Sequence, residues 1–277
     1  MFTIVRSMRT IAVAFMISAS VLYAQEDPSQ RTCGNEYASA GIEGLTYAEA
    51  LDYAGRLHDE YQEELLGKLL EERVDLRDVE KIEEIMERNT GEFFTARRID
   101  VSGHHYQFCF SPCKKTLGIV AGRQSAEATA ILTELERLIL SYDGLDDEGF
   151  FASLEKLKAA ALQLPDEKDV FTAGIPATIA IHSFRYWQAN GERWLDAFTA
   201  QAEPAAVRRP RMIQTNKKCK VNFLSAGISD AGGAYAVGSL GVFAGPVGIF
   251  AGGLLGAGAG SAGNLIGQGI ACAFGWL

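Results

Sequence analysis

Past Asp230 the sequence carries no charge: the 47 residues from Ala231 to Leu277 include no Asp, Glu, Lys or Arg. Proline is scarce too, seven in 277 residues, and 48% of the chain is hydrophobic, which together exclude a low-complexity, disordered protein. The four histidines form no H-E-x-x-H ("HDEY" at 58–61 is not one) and the five cysteines form no C-x2-C, so the common zinc-peptidase and zinc-knuckle frameworks are absent. Basic residues are the minority, 26 against 35 acidic, which argues against nucleic acid as a partner. No segment sustains the apolar–polar alternation of a half-buried strand. What is present is helical periodicity, over most of the body and again in the tail.

The first 24 residues are expected to be a signal peptide: Arg6 and Arg9 precede an apolar run from Ile11 to Tyr23, then Ala24 leads into Gln25-Glu26-Asp27. That run is well short of the roughly 20 residues a spanning helix needs. Cleavage after Ala24 leaves Leu22 at the −3 position; cleavage after Ser20, with Ser18 at −3, is the alternative. Export makes disulfides the default for Cys33, Cys109, Cys113, Cys219 and Cys272, with one of the five left over and the connectivity open. Export also removes Arg6 and Arg9, which takes the formal charge from −9 to −11. Six basic residues (Arg208, Arg209, Arg211, Lys217, Lys218, Lys220) against Asp230 give residues 208–277 a charge of +5, leaving −16 on residues 25–207.

Within that acidic body, "LTYAEALDYAGRLHDEYQEELLGKLLEE" opens on a capping box, Thr46 with Glu49. Leu51, Ala54, His58, Tyr61, Leu65 and Leu69 then mark one face of a long helix. Asp75 is the expected cap of a second helix with Val79, Ile82 and Met86 inward, ending at "NTG" 89–91. "EFFTARRIDVSGHHYQFCFSPC" reads as irregular. Ser125 opens a third helix that ends at Asp143-Gly144, and "DEGFFASLEKLKAAALQL" is a fourth, stopped by Pro165. Further helices are expected in "DEKDVFTAGIPATIAIHSFRYWQANG" and "ERWLDAFTAQAE", broken near Gly174–Pro176 and at Asn190-Gly191. The fold class is therefore all-α: an irregular helical bundle followed by a glycine-rich apolar helical hairpin.

No catalytic, metal-binding or cofactor-binding set is legible. "HHYQFCFSPC" gathers His104, His105, Cys109 and Cys113, a conceivable zinc set, but exported cysteines are oxidised more often than metallated and Pro112 disturbs a helix there. A cysteine nucleophile needs a positioned histidine and an orienting group, and no such context is recognisable. Phe184, Tyr186, Trp187 and Trp194 read as core first and as a ligand pocket second.

In the tail, Gly241, Gly245, Gly248, Gly252, Gly256, Gly260, Gly263 and Gly267 are spaced 4, 3, 4, 4, 4, 3 and 4 residues apart, close to the α-helical repeat. As a helix they form one groove, at a cost on the order of 7 kcal/mol against alanine. Pro246 divides the tail into arms at 231–244 and 247–277. Such a stripe suits close helix packing in lipid, with the basic collar docking on an anionic bilayer from outside. It also suits a buried central hairpin of the protein's own bundle.

Residues 208–277 resemble the glycine-rich peptides of pore-forming bacteriocins, which join a cationic segment to GxxxG stripes. That resemblance implies membrane lipid as partner and self-association through the stripe. "AGRLHDEYQEEL", "HSFRYWQAN" and "SDAGGA" are similar in layout to a group of exported bacterial proteins bearing G-x-x-H-N-x-x-L, S-x-x-Y-W and a glycine-rich end. Asp59 stands here for the Asn and Gln62 for the Leu, and this second resemblance implies no activity. The chain thus divides into a signal peptide (1–24), an acidic helical domain (25–203), a basic linker (204–230) and a glycine-zipper tail (231–277). The expected role is that of an exported, membrane-active, bacteriocin-like precursor or pore-forming effector. The alternative is a non-enzymatic periplasmic or cell-surface structural or binding protein with the tail in its own core.

Overall fold

A computed structural model describes residues 30–74, 78–101, 119, 124–202, 223–240 and 245–273. The fold is all-α. A short 3₁₀ helix, Asn35–Ala40, precedes α1 (Tyr47–Glu71), α2 (Val79–Ala96), α3 (Ala126–Ser141), α4 (Asp147–Leu162), α5 (Glu167–Ala202), α6 (Phe223–Leu240) and α7 (Gly245–Ala273). Among the described residues there is no strand, only an isolated bridge between Thr32 and Thr46.

Helix starts follow the local chemistry. Thr46 accepts from the Glu49 amide while Glu49 accepts from the Thr46 amide at 2.8 Å, so the capping box forms in full. Ser125 and Asp146 cap α3 and α4 in the same way, each accepting from the amide three residues on. The expected inner face of α1 is buried throughout, from Leu51 to Leu69.

Other expectations about helix ends are corrected. The start of α2 is capped by Asp78, not Asp75, which lies outside the described residues; Ile82 and Met86 are buried, but Val79 is 37% exposed. The helix runs through "NTG" to Ala96, because Asn89 and Thr90 are inside the bundle: Thr90 donates to the Met86 carbonyl and shares a hydrogen bond with the Tyr61 hydroxyl at 2.9 Å. Likewise α5 is continuous through Gly174–Pro176 and Asn190-Gly191. Proline there removes a backbone bond, yet Ile175, Ala177, Thr178 and Ile179 are all buried, so packing on both sides holds the helix.

Glycine sets how the long helices approach. Helices α1 and α5 run parallel, the Cα of Gly174 against the Leu51 side chain and that of Gly55 against the His182 ring. The antiparallel α6 crosses α5 with Gly227 on the Phe184 ring, where a Cβ would sit 2.7 Å away. Against α6, α7 is antiparallel in turn, and here backbone meets backbone: a Cβ on Gly233 would collide with the Gly256 carbonyl, one on Gly256 with the Gly233 carbonyl, and one on Gly260 with the Ser229 carbonyl. The far side of α7 is also occupied, Gly258 by Tyr61 and Gly253 by Ile175. Tyr235, Ile249, Phe250, Leu254 and Leu255 belong to the main core with Leu51, Leu65, Phe171 and Trp187. A second cluster, built on Leu135, Ile139, Phe150 and Leu154, packs α3 and α4 onto Ala180 and Phe184 of α5.

Helix α6 starts at Phe223, so the end of the expected 204–230 linker is helix, and its Asp230 is fully buried. Cys33 is a free thiol in place of its expected disulfide. Burial first, then Glu167 and Glu36, push it up to about 12, so it stays an inert thiol. Cys109, Cys113 and Cys219, His104 and His105, the basic residues 208–220, Gly241 and the expected signal peptide lie outside the described residues, as does the side chain of Cys272. Among the described residues no helix is long and apolar enough to cross a membrane.

Candidate functional site

Among the described residues, a buried ion pair lies where α1, α5 and α6 meet. His58 is on the inner face of α1, two turns after Leu51, and its side chain has no solvent exposure. Its Nε2 stands 3.0 Å from Oδ2 of Asp230, which is likewise fully buried, and its Nδ1 stands 3.0 Å from Oδ1 of Asp59. A carboxylate can only accept, so His58 donates on both sides and is an imidazolium. Burial works against that charge, but Asp230 and then Asp59 outweigh it and raise the His58 pKa to about 9. Asp230 is held by α5 as well: Ser183 donates to its Oδ2 at 2.5 Å and the Trp187 indole at 3.2 Å. All three bonds converge on Oδ2, and Oδ1, though buried, has no partner.

The network continues to the surface. Asp59 Oδ2 accepts from Nδ1 of His182 at 2.8 Å, and burial notwithstanding, its two histidine partners hold its carboxyl below the usual range. The Nδ1 of His182 donates to that carboxylate, and no other hydrogen bond joins its ring to a described residue. The Asp59 and His182 side chains are 34% and 23% exposed, so the chain Asp230–His58–Asp59–His182 runs from the dry core to water. Gly55 makes this possible: a side chain there would overlap the Cδ2 and Nε2 edge of the His182 ring.

Asp59 opens onto a cleft of about 670 Å³ between α1 and α5, closed at one side by Arg97 after α2. Its carboxylates are already engaged. Glu60 pairs with Arg97 at 3.1 Å, and Glu63 accepts from Arg193 at 2.7 Å and from the Tyr186 hydroxyl at 2.9 Å. Burial opposes but Arg193 and Tyr186 dominate, so the Glu63 carboxyl is also lowered. Asn190 completes the α5 wall, one turn beyond Tyr186. The Tyr186 hydroxyl in turn accepts from Trp194 at 2.9 Å, so the wall is fixed from behind. Among the described residues no group of three or more His, Cys, Asp or Glu side chains is arranged to hold a metal ion.

Each of these residues stood in a fragment singled out in the sequence, but the fragments were read apart. Phe184, Tyr186, Trp187 and Trp194 are buried core, as read, while two of them also orient ionised groups. Two signals pointed to the site: a histidine in register with the buried face of α1, and a lone acid, Asp230, within an otherwise acid-free stretch. Of the glycine stripe, Gly256 and Gly260 face α6, Gly248, Gly252 and Gly263 are buried, and Gly245 and Gly267 are helical. No family model, curated protein or solved structure matches the chain.

Proposed function

We propose that the protein is an exported, self-contained helical binding protein of the periplasm or cell surface. On this reading its glycine-rich C-terminal helices are part of its own core, and its working face is the cleft between α1 and α5. The observation that carries this reading is the mutual backbone contact of Gly233 and Gly256, flanked by Tyr61 against Gly258 and Ile175 against Gly253. These glycines serve neighbours within the same chain, at the close range for which small-residue stripes are used. Asp230 supports it as well, since leaving the bundle would strip His58 of its buried counter-charge and cost about 3–5 kcal/mol.

The competing reading is tail insertion, with the glycine stripe as an oligomer interface and the basic collar docking on lipid. Dye release from anionic phosphatidylglycerol vesicles separates the two, with the mature chain compared against one ending at Ala206. No release by the mature chain, together with a monodisperse monomer, is the expected result. Release that requires the tail would overturn the proposal and reinstate a membrane-active effector.

A further inference from the structure

We propose that His58 is a pH-sensitive switch on the wall of the α1/α5 cleft: when it gives up a proton it lets go of Asp59 and keeps Asp230. The switch acts on the cleft that the reading above takes as the working face, and rests on that reading for nothing else. The geometry that carries it is the unequal setting of the two carboxylates. Both stand 3.0 Å from the ring, Asp230 at Nε2 and Asp59 at Nδ1. The Asp230 side chain has no solvent exposure, whereas that of Asp59 is 34% exposed and lines the cleft.

A neutral imidazole carries one N–H, so it donates to one carboxylate and turns a lone pair on the other. With the proton on Nδ1, the bare Nε2 would face a charge that water cannot reach. Asp230 would then keep only Ser183 and Trp187, with its Oδ1 already unpartnered. A buried charge left short of donors is the costlier choice. With the proton on Nε2, Asp230 keeps all three donors, and water in the cleft replaces the bond lost at Asp59. The Nδ1 proton is therefore the one that leaves, through Asp59 to solvent hydroxide, which becomes water. Of its present partners Asp59 then keeps His182 on Oδ2, and its Oδ1 turns to the cleft. The wall gains a free carboxylate oxygen while α6 stays docked.

The other groups around the ring do not reverse that choice. Along the cleft wall of α1, Glu60 and Glu64 pair with Arg97, which follows α2, and Glu63 pairs with Arg193. From α5, Tyr186 stands edge-on to the imidazole and gives its hydroxyl to Glu63, while His182 donates to Asp59. Asp230 is the charge that α6 brings, and α7 has none. Burial lowers the His58 pKa, but Asp230 and then Asp59 raise it to about 9, which places the switch at alkaline pH.

The test is nitrogen-15 spectroscopy of the full mature chain with labelled histidine, titrated from below to above the His58 midpoint. Each ring is assigned through its own backbone, so no variant is needed. Above the midpoint His58 is expected as the Nε2–H tautomer with Nδ1 bare, and the His182 Nδ1 resonance is expected to shift in the same step. An Nδ1–H tautomer, or an even mixture of the two, overturns the proposal. So does a His182 resonance indifferent to that step, or a His58 ring that holds both protons until the chain unfolds. Asp59→Asn should lower the midpoint by about one pH unit or more and leave the Nε2–H tautomer in place; an unmoved midpoint in the folded variant also overturns it. If that variant does not fold, the spectra of the native chain decide. Dye release from vesicles would sink the binding-protein reading and leave these spectra as they are, so the two failures are distinguishable.

Discussion

An imidazolium with no water around it is expensive, several kcal/mol in desolvation alone, and His58 holds its proton only because two carboxylates flank it. Stability must therefore fall at alkaline pH. The His58 pKa is raised from its ordinary 6.5 to about 9, so its contribution is complete below about pH 6.5 and is lost as pH climbs through 9. Urea unfolding should show a fall on the order of 3 kcal/mol across that interval. The same titration on His58→Gln should be nearly flat there; an equal slope in both would show that some other group is responsible. Asp59 acts in the opposite sense: its carboxyl is lowered, so its share is present above the ordinary 3.8 and vanishes as pH falls below that value. A second prediction concerns Gly55. Gly55→Ala should cost about 1–3 kcal/mol by overpacking on the His182 ring, measured by the same unfolding. It should also turn His182 away from Asp59, which would appear as a changed imidazole Nδ1 resonance in nitrogen-15 spectra.

Helices differ in how glycine serves them, and that difference can be tested element by element. Gly67 in α1 and Gly91 in α2 have nothing within 4 Å of where a Cβ would be. Alanine at either should stabilise the protein by about 0.5–1 kcal/mol through helix propensity alone. Gly233 in α6 and Gly256 in α7 stand against each other's carbonyls, and alanine at either should destabilise by about 1–3 kcal/mol or more. Equal effects at all four positions in urea melts would refute the packing described for α6 and α7. The contrast also marks what local sequence can reveal. Caps at Thr46 and Ser125 and the buried stripe of α1 are properties of a few neighbouring residues, and they were legible. The passage of α5 through Pro176 and of α2 through Gly91 was not, since both depend on burial by distant helices overriding a local breaker. The site was legible only as separate fragments. His58 and Asp230 meet across 172 residues of chain, and no spacing rule links them.

On the scale of the whole molecule, the acidic body and the glycine-rich C-terminal helices pack into a single core. Helix α6 supplies Asp230 to His58, Ser183 and Trp187, and Gly227 to Phe184. Helix α7 fills the space between Tyr61 and Ile175 and lays Phe250 on Tyr53, ring centroids 6.5 Å apart. A chain ending at Ala206 would therefore expose those faces and leave an imidazole in place of a buried ion pair. The expected outcome is loss of cooperative urea unfolding and of the near-ultraviolet dichroism of Trp187 and Trp194, with helical far-ultraviolet signal partly kept and an apolar dye bound. Adding residues 207–277 back in trans should restore the aromatic signal if the two parts recognise each other as core. A truncated chain that unfolds with the same midpoint and sharpness as the parent would show that the body is complete without its tail. The glycine contacts of α6 and α7 would then be incidental, and insertion of the tail into a membrane would be the better account of its stripe.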